Sequence, residues 1–350
     1  MKSLLVTGGA GFIGSNFIVF MLQKYKSIHI VNLDALTYAG NLSNLEQISQ
    51  DTRYSFAKGS IGDQQLVSDL FSEYQIDTVV NFAAESHVDR SIVEPELFLE
   101  TNILGTHTLL ENARDNWSND PGNKHCQEYQ EGVKFVQIST DEVYGSLGDK
   151  GMFTESTPLA PNSPYSASKA SADLIVRAYH KTYGLPVNIT RCSNNHGPYQ
   201  FPEKLIPLMI NNCLHGDKLP VYGDGLNVRD WLYVDDHCSA IDAVISNGVV
   251  GEVYNIGGNN EKSNIEIVRM IIKALGRDDS LIDYITDRPG HDRRYAINSS
   301  KITTELGWSP AFPFETAINK TIEWYLENQT WVEQVTSGEY RSYYSRYYFE

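Results

Sequence analysis

The chain has 350 residues, 41% of them hydrophobic, and a formal net charge of −16 at pH 7. That size and composition fit a soluble globular protein with one large α/β unit and a smaller lobe, and the acidic balance argues against nucleic-acid or anionic-membrane partners. Four cysteines, at 126, 192, 213 and 238, show neither a CxxC nor paired metal spacing, so no metal is expected; with no signal peptide or membrane-length apolar run, the cytoplasm is the default location.

Ser3 to Thr7 reads as a short buried strand, and Gly8-Gly9-Ala10-Gly11-Phe12-Ile13-Gly14 turns it directly into a helix over Phe12 to Lys24. Glycines at 8, 11 and 14 let the backbone turn tightly, approach a pyrophosphate and pack the helix on the sheet, with the helix N-terminus facing the phosphates. Ile28 to Leu33 is a second strand ending in Asp34, twenty residues beyond Gly14. An acid there accepts hydrogen bonds from a ribose 2′-hydroxyl and repels a 2′-phosphate, so NAD is expected rather than NADP.

Arg53 to Lys58 and Ile76 to Phe82 read as the third and fourth strands, with a helix over Gln64 to Tyr74 between them. This rhythm predicts a Rossmann-type doubly wound parallel sheet. The loop Ala83 to Arg90 is placed to cover the cofactor, although alone it reads as a polar helix entry. A helix follows over Glu100 to Asn112 with Ile103, Leu104, Leu109 and Leu110 inward, then a polar loop over Trp117 to Gly132.

Val133 to Ser139 reads as a buried strand, which puts Thr140, Asp141 and Glu142 at the C-terminal edge facing the ligand crevice. Tyr165 and Lys169 stand four apart in a helical stretch from Ser163, a plausible N-cap, to Tyr183, so both project from one face. A phenol beside an ammonium has its charged form favoured. Each motif alone is more often bland than catalytic. Together with the nucleotide signature they predict a cleft with more acid–base capacity than a simple dehydrogenase needs.

After Val187 to Cys192, the sixth strand, the alternation breaks down into polar loops around a helix over Ile206 to His215. The expected organisation is an NAD-binding domain over 1–192, a discontinuous substrate lobe over 193–330, and a segment of about 228–250, centred on a helix from Val234 to Ser246, that returns to the first domain. Gly251 to Ile256, Asn264 to Leu275 and Ile318 to Leu326 supply further strand and helix. Residues 331–350 are expected as a surface arm, tyrosine-rich from Ser337 onward.

The Thr7 to Gly14 turn, Asn102-x-x-Gly105-Thr106 and the Tyr165/Lys169 pair resemble the extended short-chain dehydrogenase/reductase family, whose members act mostly on nucleotide sugars. Phe82 to Ser91, Ser139 to Gly145, Cys192 to Asn195, Phe201 to Pro207 and Arg288 to Arg294 are similar to its 4,6-dehydratase branch. Related epimerases usually carry small residues where Asp141 and Glu142 stand.

The resemblance implies NAD contacts from Gly8, Gly11, Phe12, Ile13, Gly14, Asp34, Thr37, Ser60, Ile61, Phe82, Ala83, Ala84, Glu85, Thr101, Tyr165, Lys169 and Asn195. It implies nucleotide-sugar contacts from Ser86, Thr140, Asn194, Lys204, Leu205, Pro220, Tyr222, Arg229, Asn264, His291 and Tyr295, with Tyr222 stacking on the base and Arg229 pairing with the diphosphate. Tyr165, helped by Lys169, would be the base at C4 with Thr140 orienting the hydroxyl, Glu142 the base at C5, and Asp141 the acid at C6. A homodimer and a place in rhamnose-type deoxysugar synthesis are also implied.

One departure is Ser60, where the family commonly has an acid near the adenine; Asp63 instead reads as the cap of the next helix. His196, where relatives often have an aromatic residue, is a milder one. Two alternatives remain, a nucleotide-sugar 4-epimerase and an NAD-sensing regulator on the same fold.

Overall fold

The computed structural model describes residues 1–337. Its first half alternates β1 (Ser3–Thr7), α1 (Phe12–Lys24), β2 (His29–Asp34), β3 (Tyr54–Lys58), α2 (Gln64–Tyr74), β4 (Thr78–Asn81), three helices α3 (Val88–Val93), α4 (Pro95–Phe98) and α5 (Thr106–Trp117), then β5 (Lys134–Thr140), α6 (Pro164–Tyr183) and β6 (Val187–Cys192). The second half runs β7 (Asn194–His196), α7 (Leu205–His215), β8 (Leu219–Tyr222), β9 (Val228–Tyr233), α8 (Val234–Asn247), β10 (Val253–Ile256), β11 (Glu261–Ser263), α9 (Asn264–Ala274), β12 (Ile282–Ile285) and α10 to α12 (Ser300–Leu306, Phe314–Glu327, Gln329–Val335).

Seven parallel strands form the central sheet in the order β3-β2-β1-β4-β5-β6-β10. The fold class is therefore the expected Rossmann-type α/β sheet. Every residue of β1 and β4 is buried, as a strand covered on both faces requires. One face packs against α1 and α8 through Phe17, Ile18, Met21, Ile241 and Val244, and the other against α2, α5 and α6 through Val67, Phe71, Leu109, Leu110 and Val176. The chain reverses its winding between β1 and β4, which opens a crevice at their C-terminal ends. There Thr7 Oγ1 donates to Asn81 Oδ1 at 2.6 Å, while the Asn81 amide donates to Thr106 Oγ1 and Gln137 Oε1 at 3.1 and 2.9 Å.

The smaller lobe holds a three-stranded sheet, β11-β9-β7, and the parallel pair β12-β8. Its core gathers Met209, Ile210, Ile267, Val268, Ile271 and Ile318. The segment expected to return at 228 first supplies β9 to this lobe; the return begins with α8, and the strand expected over Gly251 to Ile256 as part of the lobe completes the central sheet as β10.

Two further expectations are corrected. The helix expected over Glu100 to Asn112 opens as a π-helical turn, Leu99–Gly105, before α5 runs on to Trp117, and Leu104 is 59% exposed rather than inward. The extra residue in that turn rotates the side chains ahead of it relative to an α-helix. The arm expected from residue 331 begins instead within α12, whose Trp331 and Val332 are buried in the lobe core; the tail beyond Ser337 lies outside the described residues. Trp331 packs among Tyr199, Trp324 and Tyr325, and its Nε1 donates to Asn44 Oδ1 at 2.8 Å. Asn44 in turn donates to the carbonyl of Ala10 in the glycine turn at 2.9 Å. Trp331→Ala should therefore cost about 3–5 kcal/mol in urea denaturation, against well under about 1 kcal/mol for a residue on a solvated arm.

Candidate active site

The glycine turn is shaped by what surrounds it. Gly8 has φ +67°, and a Cβ there would stand 2.8 Å from Ala83 Cα; one on Gly14 would stand 2.8 Å from Gly9 Cα. Only hydrogen fits at either place, and the gap left over the N-terminus of α1 suits a pyrophosphate. Asp34 closes the far side. Its Oδ2 accepts from Ala10 N at 2.9 Å and its Oδ1 from Leu36 N at 2.8 Å. Burial pushes its pKa up while these two N–H groups oppose the shift. A glycine turn packed this closely against its neighbours, lining one cavity with a fixed carboxylate, fits a dinucleotide with a free ribose diol.

At the C-terminal end of β5 the chain turns into a short 3₁₀ helix, Asp141–Tyr144, with Thr140 as its N-cap. Thr140 Oγ1 accepts from Glu142 N and donates to Asp141 Oδ1, both at 3.3 Å. Two carboxylates and a hydroxyl are thereby held on one turn. Burial is the main reason that Asp141 lies well above the ordinary carboxylate range, with Glu142 and Asp230 adding to it. Burial also raises Glu142, opposed by Arg288, Arg229 and Lys204. Both acids feel Arg229, but Glu142 has Arg288 and Lys204 as well while Asp141 faces two carboxylates, so Asp141 is the better proton donor and Glu142 the better base.

α6 brings the phenol and amine to the same place. Its capping box, Ser163 with Ser166, fixes the helix start two residues before Tyr165. Asn102, on the π turn, receives Glu85 N and donates to Glu85 O and to Ser168 Oγ, so the loop after β4 is tied to α6. Lys169 Nζ donates to Ile138 O at 2.7 Å. Burial and then the Glu142 carboxylate raise Tyr165 well above its ordinary value, against a hydrogen bond with Thr140, so the activation expected of this phenol has to come from positive charge brought close to it. Burial also lowers Lys169, with Asp173 opposing. Burial works against the charged form of both groups, Asp173 helps Lys169 to keep its charge, and a phenolate needs further positive charge from a bound partner.

Two adjoining cavities meet at Glu142, Asn194, Asn195 and Lys204. The first is lined by all the residues expected to hold NAD, from Gly8, Gly11, Phe12, Ile13 and Gly14 through Asp34, Thr37, Ser60, Ile61, Phe82, Ala83, Ala84, Glu85 and Thr101 to Tyr165, Lys169 and Asn195, and also by Thr140. The second is lined by Ser86, Leu205, Pro220, Tyr222, Arg229, Asn264 and His291. Asp141 and Tyr295 line neither. Tyr295 instead lies against Arg229, ring centroid 4.3 Å from the guanidinium carbon, and donates to Asp292. Arg229 donates to the Val228 and Asp292 carbonyls.

Ser60 faces the first cavity and accepts from Gly62 N, and Asp63 caps α2 by accepting from Leu66 N at 3.0 Å. His196 is fully buried against Thr321, which drives its pKa down to about 3. Sequence reasoning singled out neither Arg288 nor Asp89 as site residues. Their ion pair at 3.1 Å, with the Tyr222 phenol donating to the same carboxylate at 3.3 Å, forms one wall of the second cavity. Arg288 lay within a recognised segment; Asp89 carried no signal beyond an ordinary loop acid.

The fold and the groups gathered at its crevice place the protein among the nucleotide-dependent α/β enzymes. The profile described as GDP-mannose 4,6 dehydratase matches residues 5–321, and the chain belongs to that family, within the extended short-chain dehydrogenase/reductases. It is 57% identical over 350 aligned residues to the dTDP-glucose 4,6-dehydratase of Xanthomonas campestris pv. campestris (strain B100), covering 97% of this chain and 98% of that protein. A crystal structure of dTDP-glucose 4,6-dehydratase from Bacillus anthracis str. Ames in complex with NAD matches with a TM-score of 0.86 and 54% identity, covering 96% of this chain and 100% of that one. The corresponding enzyme from Streptomyces venezuelae, with NAD and dTDP bound, matches with a TM-score of 0.88 and 48% identity over 95% of this chain and 100% of that one.

The burial of Asp141 has a signed consequence for stability. Its folded pKa is raised, so the folded state holds this proton more tightly than the unfolded chain, and stability is lost as pH climbs from the ordinary carboxylate value through the folded one. Asp141→Asn keeps the shape and never ionises. The variant should melt above the parent at about pH 8, and the difference should close as pH falls to about 4.

Proposed function

We propose that this chain dehydrates dTDP-glucose to dTDP-4-keto-6-deoxyglucose, with NAD as an internally recycled cofactor. The observation that carries the reading is that one Thr140-capped turn holds both Asp141 and Glu142, with Glu142 lining both cavities and sharing the first of them with Tyr165 and Lys169. Family members with these names and bound ligands are the comparison proteins. A 4-epimerase needs the phenol but no second pair of acids, and a regulator needs neither; both are the weaker readings.

Bound NAD supplies the acceptor and then the donor of hydride. The chain's own groups do the rest. Tyr165 takes the C4 hydroxyl proton, held in register by Thr140, and Lys169 keeps positive charge beside it. The C4 ketone acidifies the C5 proton, which Glu142 removes, and Asp141 gives its proton to the departing C6 oxygen so that water leaves. With hydride returned to C6, Glu142 would give its proton back to C5, and the proton Tyr165 took at C4 would balance, through solvent, the one Asp141 gave to the departing water, so no net oxidation occurs. Asp141 lies just behind the cavity wall, so this role requires a small approach of the turn toward C6 once the sugar is bound. Arg229, Arg288 and Lys204 supply positive charge for the diphosphate, and Tyr222 an aromatic face for thymine.

Incubation with dTDP-glucose should give the alkali-induced absorbance of a 4-keto sugar without added NAD; an unchanged substrate, or a 4-epimer in its place, would overturn the proposal. Glu142→Gln should still oxidise C4, so that reduced-nicotinamide absorbance builds up, while incorporation of solvent deuterium at C5 and elimination fall by about 10²–10⁴-fold.

We also propose a homodimer built on the face formed by α4, the π turn, α5 and α6. Leu97, Leu99, Leu104 and Leu174 are 46%, 49%, 59% and 53% exposed there, an apolar patch that a second copy would cover. Light scattering should report twice the chain mass at micromolar concentration, and Leu104→Glu should shift it toward monomer.

A further inference from the structure

The segment after Asp34 divides its residues between two surfaces. Thr37 lines the cofactor cavity, Ala39 and Gly40 line both it and a neighbouring groove, and Tyr38 lies in that groove alone, with Arg90, Trp331 and Phe201, the last of which lines both as well. Its ring is held on three sides. The Arg90 guanidinium carbon lies 3.6 Å from the ring centroid, Phe201 meets the ring edge-on at 5.6 Å and 82°, and the phenol donates to Glu203 Oε1 at 2.9 Å.

Glu203 is itself buried, with its second oxygen 3.7 Å from Arg90 Nε and 3.8 Å from His87 Nε2. Arg90 and His87 follow β4, while Phe201 and Glu203 precede α7 in the second lobe. A single tyrosine from the loop after β2 therefore joins both walls of the crevice. The next residue along, Lys204, donates to Ser86 O at 2.9 Å and lines both cavities. Leu36, two residues before Tyr38, stands at φ +55° with its N–H on Asp34, so the loop keeps a conformation that a non-glycine residue rarely adopts unaided.

We propose that Tyr38 is a positioning residue that latches the 35–40 loop to the second lobe and so retains NAD from one turnover to the next. The bond is a phenol donating to a buried carboxylate, of the stronger charge-assisted kind, and the loop it pins forms part of the cavity wall beside Asp34. The inference rests on the proposed function in one respect: a cofactor that ends each turnover as it began has no step in which it needs to leave.

The holoenzyme, Tyr38→Phe and Tyr38→Ala would be desalted and their NAD content and rate of NAD release on dilution measured, alongside turnover with and without added NAD. Tyr38→Phe, which keeps the ring, should release NAD about 10- to 150-fold faster, the factor for one lost hydrogen bond to a charged group. Tyr38→Ala should lose most of its NAD and regain the parental kcat when NAD is saturating. Parental retention in both variants, or a fall in kcat that NAD does not restore, would overturn the latch. Retention is read without turnover, so a protein that holds NAD but leaves dTDP-glucose unchanged would refute the proposed reaction separately.

Discussion

The end of β4 carries the constraint on which the crevice depends. A doubly wound sheet must part where its winding reverses, and the parting leaves polar strand ends facing one another with little water. Asn81 answers this with one side chain, accepting from Thr7 of β1 and donating to Gln137 of β5 and Thr106 of α5. Thr7 also accepts from Ala83 N at 3.2 Å, which draws the loop after β4 against Gly8, where only a glycine leaves room. The cofactor cradle is thus a consequence of how the sheet opens. An apolar residue at 81 would leave several buried partners unsatisfied at once.

A second set of buried charges relates the catalytic groups to one another. Arg191 on β6 holds Asp173 of α6 at 2.9 Å and donates to the Tyr144 hydroxyl at 2.9 Å, and Tyr144 closes the turn that carries Asp141 and Glu142. Asp173 lies one helical turn beyond Lys169 and sustains its charge against burial. One guanidinium therefore spans the helix that presents the phenol and the turn that presents the acids. Such pairs add little to stability after desolvation; their value here lies in fixing geometry.

Those features were legible in the sequence to differing degrees. Gly8 to Gly14, Asp34 and the strand ending at Thr140 were readable because backbone geometry and period leave few alternatives. The cap at Asp63 was readable for the same reason, and the substrate-side residues through resemblance to a known family. The Tyr165 titration was not, because spacing along a helix reports which face a group occupies and nothing of how dry that face becomes. Leu104 was misplaced because no periodicity announces the π-helical turn over Leu99–Gly105. Trp331 was assigned to an arm because its partners, Tyr199 and Asn44, are far away in sequence; the strand over Gly251 to Ile256 was placed in the smaller lobe because so short a run carries too little pattern to declare its sheet.

The path from Trp331 through Asn44 to Ala10 ties together residues that stand far apart along the chain. The glycine turn is braced on its outer side by the helix over Gln329–Val335. Without that helix, Asn44 lacks its buried indole partner and the nucleotide cradle loses an outer support. A chain cut short of residue 331 would keep every group named in the chemistry, so the damage would be felt where the cofactor sits rather than among the groups that move protons.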